Sequence, residues 1–153
     1  MSQKRQYTSC GVGDLLVGFP IECVQEVTGA AELTPVPLAS PFISGLLNLR
    51  GEIVTAIDLR KCLHAGDRPA AQTPLQLILR DGDDSVSLLI DDVGDVVDVD
   101  EADAVPAPVH LSEHLRGLIT QVYPFGRRLL LVLDASAVLA SAYGESRNGS
   151  GGM

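Results

Sequence analysis

The sequence carries the same pattern twice, and this limits its possible folds more than any other feature. In the first half Ile21, Val24, Glu26 and Val27 spell I-x-x-V-x-E-V; in the second, Ile90, Val93, Asp95 and Val96 spell I-x-x-V-x-D-V. Pro35–Pro37 (P-V-P) returns as Pro106–Pro108 (P-A-P), Ser40–Gly45 as Ser112–Gly117, and Ile53–Asp58 (IVTAID) as Leu129–Asp134 (LLLVLD). The offset grows only from about 69 to about 76 residues, as expected when loops lengthen and elements do not. Four weak matches in one order mark an internal duplication. The copies span 6–69 and 74–143, with 70–73 near their junction. Residues 146–153 (SRNGSGGM) are Gly/Ser-rich and read as a disordered tail.

Each copy reads as short strands with little helix. Gln6–Cys10 and Leu15–Ile21 form an opening hairpin, answered by Leu75–Arg80 and Ser85–Ile90, where Asp81-Gly82 is a strong turn signal. A third strand covers Cys23–Val27 in one copy and Val93–Val99 in the other. Ser40 and Ser112 are placed to cap short helical turns closed by Gly45 and Gly117. Paired strands follow, Leu46–Leu49 with Glu52–Ile57 and Leu118–Tyr123 with Arg128–Leu133. Asp58 and Asp134 then cap short helices, Leu59–His64 and Ala135–Tyr143. Five short strands without a long helix escape exposed edges most easily by curling into a small barrel. The expected fold is all-β: two small five-stranded barrels packed side by side, one per copy.

Charge narrows the partners. Acidic residues number 20 against 11 basic, a net charge of −9, and ten of the acids lie between Asp81 and Asp103. Such a surface disfavours nucleic acid and anionic lipid. The longest uncharged stretch, Leu33–Leu49, holds Pro35, Pro37 and Pro41 and does not read as a membrane span. Cys10, Cys23 and Cys62 fit no C-x-x-C spacing and read as reduced thiols in a cytosolic protein.

Motifs for chemistry are scarce. There is no G-x-x-x-x-G-K-[ST] or G-x-G-x-x-G phosphate loop and no G-x-S-x-G nucleophile elbow, the nearest string being Gly149-Ser150-Gly151 in the tail. His110-Leu111-Ser112-Glu113-His114 matches an inverted zinc-protease pattern, the one opening toward a hydrolase. Both histidines would need to share one helical face. If Ser112 is the N-cap, His110 lies outside the helix, and Pro108 and Gly117 leave room for only a turn or two. The acidic run lacks the alternating ligands of a calcium loop. No metal or cofactor is expected.

What remains points to recognition. At one hairpin tip Asn48 and Arg50 alternate with Leu47 and Leu49, whereas the other copy carries Gln121-Val122-Tyr123-Pro124 there. Glu26 is an acid in a valine-rich strand. Asn48 and Arg50 are not required by the shared fold; together with Glu26 they are candidates for a contact surface, and a Glu26–Arg50 ion pair is one way to hold it.

These residues resemble the CheW family of chemotaxis coupling proteins. The family pattern is a V-x-E-hydrophobic strand, a Pro-rich segment, F-I-x-G-hydrophobic-x-N-L-R-G, and a hydrophobic strand ending in D-L-R. Here it stands as Val24, Glu26 and Val27, then Pro35 and Pro37, Phe42–Gly45, Asn48–Gly51 and Asp58–Arg60. The resemblance implies two SH3-like barrels and an adaptor without catalytic activity, in the cytoplasm at receptor arrays. It implies two partners, the regulatory domain of a histidine kinase and the cytoplasmic tip of a methyl-accepting receptor, the tip seated by helix-in-groove recognition. Carried onto this chain, Val24, Glu26, Val27, Asn48, Arg50, Val93 and Val96 become candidate partner contacts. Gly45 and Gly51 shape the backbone beside them. A paralogous module of a pilus-motility or other two-component array is the alternative context.

Overall fold

The computed structural model describes residues 3–29 and 32–151. Ten strands account for about half of them: β1 Lys4–Val12, β2 Leu15–Pro20, β3 Val24–Thr28, β4 Ile43–Leu49, β5 Glu52–Asp58, β6 Leu75–Asp81, β7 Asp84–Ile90, β8 Asp92–Asp100, β9 Ile119–Phe125 and β10 Arg128–Leu133. Three helices interrupt or follow them: α1 Leu59–Cys62, α2 Glu113–Arg116 and α3 Ala135–Gly151. Each hairpin turns on two residues, with glycine in a left-handed conformation at Gly13, Gly51, Gly82 and Gly126.

The strands form two five-stranded sheets, but each sheet draws on both sequence copies. One, barrel I, has the order β8-β1-β2-β10-β9; the other, barrel II, has the order β3-β6-β7-β5-β4. The expectation that 6–69 and 74–143 each close a barrel is therefore corrected. Each copy lends its opening hairpin to the other copy's last three strands. The cause lies at Ile21–Cys23, a short 3-10 turn that carries the chain from β2 across to the second sheet. Strand β3 then finds β6, and by the same rule β8 finds β1, both antiparallel. The seams are parallel pairs, β2 with β10 and β5 with β7. Under the duplication each sheet maps onto the other strand for strand, so the symmetry survives the exchange.

Alternation along the strands sorts side chains into three layers. Tyr7, Leu16, Val97, Tyr123, Leu130 and Val132 fill barrel I, and Leu47, Val54, Ala56 and Leu89 fill barrel II. Between them runs the main core, where Val17, Phe19, Leu131 and Leu133 of one sheet meet Ile57, Leu77, Leu79, Leu88 and Ile90 of the other. Strands β2, β7 and β10 bury both faces over most of their length, which is why β2 and β10 read as near-continuous apolar runs. Cys10 and Cys62 belong to this core, and burial pushes both thiols up to about 12. None of the three cysteines is in a disulfide.

Two local expectations are also corrected. Ser112 caps α2, its hydroxyl accepting from the Leu115 N–H at 3.1 Å, but Ser40–Gly45 is not helical. Ser40 holds only a turn, accepting from Phe42 at 3.2 Å, and β4 has begun by Ile43. There the backbone of Thr34 exchanges two 2.8 Å hydrogen bonds with Leu46, and a Cβ on Gly45 would meet the Thr34 carbonyl at 2.7 Å. The pairing demands a glycine inside the strand rather than at a helix end. At the C-terminus the helix expected over Ala135–Tyr143 runs on to Gly151, covering most of the segment expected to be a tail. Asp134 nucleates it, accepting from the Ser136 N–H at 2.9 Å, and extending a nucleated helix costs little per residue. Residues 152–153 lie outside the described residues.

Candidate functional site: a charged barrel mouth and the junction behind it

The Glu26–Arg50 pair forms. Arg50 Nη1 and Nη2 donate to the Glu26 carboxylate at 2.5 and 2.9 Å, a two-pronged contact that holds the guanidinium above its usual range. Its position gives it meaning. Glu26 sits on β3 and Arg50 follows β4, and these strands are the two opposite edges of barrel II. The pair thus spans the open side of the barrel.

Local structure sets up the contact at both ends. In β3 the register against β6 slips between Val24 and Glu26, a bulge that re-aims the acid. At the β4–β5 tip both central residues are left-handed, Arg50 with φ 52° and Gly51 with φ 87°, as a type I′ turn requires. Asn48 supports the tip by accepting from the Gly51 N–H at 2.8 Å. Arg50 remains 70% exposed while Glu26 is 22% exposed, so the acid anchors and the arginine presents.

The remaining predicted residues divide. Val27, 37% exposed, lies on β3 beside Glu26, while Val24 packs partly against the main core. Gly45 has the structural duty described above. Val93 and Val96 are 40% and 51% exposed, but they line β8 at the edge of barrel I, in the other sheet from the ion pair. The candidate contacts thus form two patches, one on each barrel.

A third feature joins the patches and was not assigned from sequence. Arg60, the arginine of the D-L-R string, is 11% exposed and donates through Nε and Nη2 to Asp91 at 3.0 and 2.9 Å. Its Nη1 donates to the carbonyls of Gly66 and Asp67 at 3.2 and 2.7 Å, strapping down the linker between the copies. Asp91 also accepts from the Gly13 N–H of barrel I at 2.7 Å and from Arg68 at 3.3 Å. Burial alone would push the Asp91 carboxyl up. Arg60, Gly13 and Arg68 outweigh that and hold it below the usual carboxylate range. Asp91 lies between β7 and β8, the point where the chain passes from barrel II to barrel I. The signal was present in the quoted motif, but its partner lies 31 residues away.

The histidines do not make a zinc site. His110 precedes α2, and His114 Nε2 donates to the Cys62 carbonyl at 2.7 Å while its ring stacks on His64 with centroids 4.4 Å apart. Among the described residues no group of three or more His, Cys, Asp or Glu is placed to hold a metal ion. Nor is any described helix long and apolar enough to cross a membrane.

Two exchanged five-stranded barrels with a braced junction between them define a double-barrel module of the SH3-like class. The CheW-like domain family matches residues 6–143, and the chain belongs to that family. It is 33% identical over 113 residues to the chemotaxis protein CheW of Bacillus subtilis, covering 74% of this chain and 72% of that protein. It is 32% identical over 111 residues to protein FrzA of Myxococcus xanthus, covering 71% and 69%. Among solved structures, the scaffolding protein TtCheW from Thermoanaerobacter tengcongensis superposes with a TM-score of 0.76 at 23% identity, over 86% of this chain and 90% of that one.

Proposed function

We propose that this chain is a non-catalytic chemotaxis adaptor. It couples the cytoplasmic tip of methyl-accepting receptors to the regulatory domain of a CheA-type histidine kinase, and it works in the cytoplasm at receptor arrays. The observation that carries the reading is membership of the CheW-like family across nearly the whole chain. The Glu26–Arg50 mouth supports it, because it holds a half-buried acid and a presented arginine in a fixed geometry. Val24, Val27 and Asn48 flank or support that surface, and Val93 and Val96 offer a second one on barrel I.

Calorimetry with a receptor tip and with a kinase regulatory domain tests the assignment. Arg50→Ala and Glu26→Ala keep the fold and weaken at least one of the two complexes. Unchanged affinity for both partners in both variants would sink this site. The likeness to FrzA fits a second context, that of a paralogous CheW-like module of a pilus-motility or other two-component signalling array. Titrating receptor tips of several classes from the same genome separates the two contexts by which class binds.

A further inference from the structure

The same bulge recurs in both copies, but among the described residues only one of the two resulting carboxylates has a cation. In β8 the register slips against β1 between Thr8 and Cys10, matching the slip that turns Glu26 outward in β3. The residue presented is Asp95, the counterpart of Glu26. Arg50's counterpart at the β9–β10 tip is Gly126, with φ 61° against Arg50's 52°. The backbone at this first turn position is therefore alike in φ and the side chain is missing.

The consequence is an open cleft of about 440 Å³ at the mouth of barrel I, bordered by Ser9, Asp92, Val93, Gly94, Asp95 and Phe125. Gly94 keeps it shaped, since a Cβ there would meet the Ser9 hydroxyl at 2.5 Å. Asp92 is engaged by the Gly11 N–H at 3.1 Å. Arg128, the one cation on the rim, is turned to the Asp14 carbonyl at 3.2 Å. Phe125 and Val93 are 45% and 40% exposed and flank the carboxylate with apolar surface, which suits the methylene stem of a long cationic side chain.

We propose that this cleft takes an arginine side chain from a partner protein, seated on Asp95 as Arg50 is seated on Glu26. The chain itself supplies the precedent for the occupant, because the equivalent mouth in barrel II is filled by its own guanidinium. Arginine suits the place better than lysine, since a carboxylate at a strand bulge offers two acceptors to a planar fork. The assignment rests on the internal symmetry and not on which receptor or kinase the protein serves.

The tripeptide acetyl-Leu-Arg-Gly-amide, which copies residues 49–51, is the probe, titrated against the full chain by amide NMR. The expected result is a saturable shift confined to Ser9, Gly94, Asp95 and their neighbours. Asp95→Asn, and separately citrulline in place of the probe's arginine, weaken it by at least about threefold, the scale of an exposed ion pair. Gly126→Arg abolishes it by supplying the guanidinium in cis; the backbone there is already left-handed, and a Cβ meets nothing within 4 Å. No saturable shift, a shift elsewhere, or equal binding by Asp95→Asn overturns the proposal. Asp95 is exposed, so its variant tests the idea even where Gly126→Arg fails to fold.

Discussion

The two barrels share every strand pairing and differ in what fills and closes them. Inside barrel I, Tyr7 and Tyr123 lie with ring centroids 5.9 Å apart. The place of Tyr7 in barrel II is taken by Gln76, fully buried and accepting from the Ser87 hydroxyl at 2.7 Å. Ser87 in turn answers Gly18, over which Leu130 packs; Val54, the smaller counterpart of Leu130, accompanies the larger Ser87. Volume is thus traded across the interior while the backbone stays put. At the mouths the contrast is electrostatic: Glu26 and Arg50 are paired in barrel II, whereas the corresponding positions in barrel I hold Asp95 and Gly126. A duplicated fold tolerates both changes because backbone hydrogen bonds, not particular side chains, define its sheets. Interiors need only matched volume and satisfied polar groups.

The largest break in this symmetry is at the junction. Asp91 is held by Arg60, whereas its counterpart Glu22 is exposed and Arg60's counterpart is Ser136. Asp91→Ala strands a mostly buried guanidinium and lowers Tm by about 6–12 °C by scanning calorimetry. Glu22→Ala leaves Tm within about 2 °C. An equal effect at both positions would mean that the cluster does not brace the barrels.

The pH dependence follows the same group. Because the folded Asp91 carboxyl lies below its unfolded value, its contribution is complete above the unfolded pKa of about 4. That contribution is lost as pH falls through the folded pKa. Urea midpoints therefore fall more steeply below about pH 4 for the wild type than for Asp91→Asn. Parallel curves would remove Asp91 as the source.

A smaller effect tests the interiors. Ser87→Ala leaves the buried Gln76 amide without its partner and costs about 1–3 kcal/mol. Adding Gln76→Leu recovers most of that loss, because an apolar pair of similar shape needs no hydrogen bond. In barrel I the nearest equivalent change, Tyr7→Phe, costs less than Ser87→Ala. Urea titration of the three variants checks the ranking.

The smallest effect on folding belongs to the mouth. Arg50→Gly loses the ion pair but relieves a left-handed backbone that glycine adopts freely. Its Tm stays within about 2 °C of wild type. Its affinity for a receptor tip or kinase domain falls all the same, which separates a recognition role from a structural one.

Much of this was legible in the sequence because it is local. Strand periodicity, glycine turns and the Asp58, Ser112 and Asp134 caps are encoded within a few residues of where they act. The Glu26–Arg50 pair could be anticipated because the acid recurs in the repeat as Asp95 while the arginine does not recur. Ser40 misled because a serine before proline signals a helix start as readily as a turn, and only the Thr34 backbone pressing on Gly45 decides between them.

By itself, then, the sequence determined that one unit occurs twice, which residues alternate into a core, and which charges stand outside it. Only the tertiary structure decided that the copies exchange hairpins, that Arg60 meets Asp91, and that Asp95 faces an open cleft. The reason is physical. A strand's periodicity specifies which face is buried, while its edge hydrogen bonds are the same for any residue and find their partner through the packing of the whole chain.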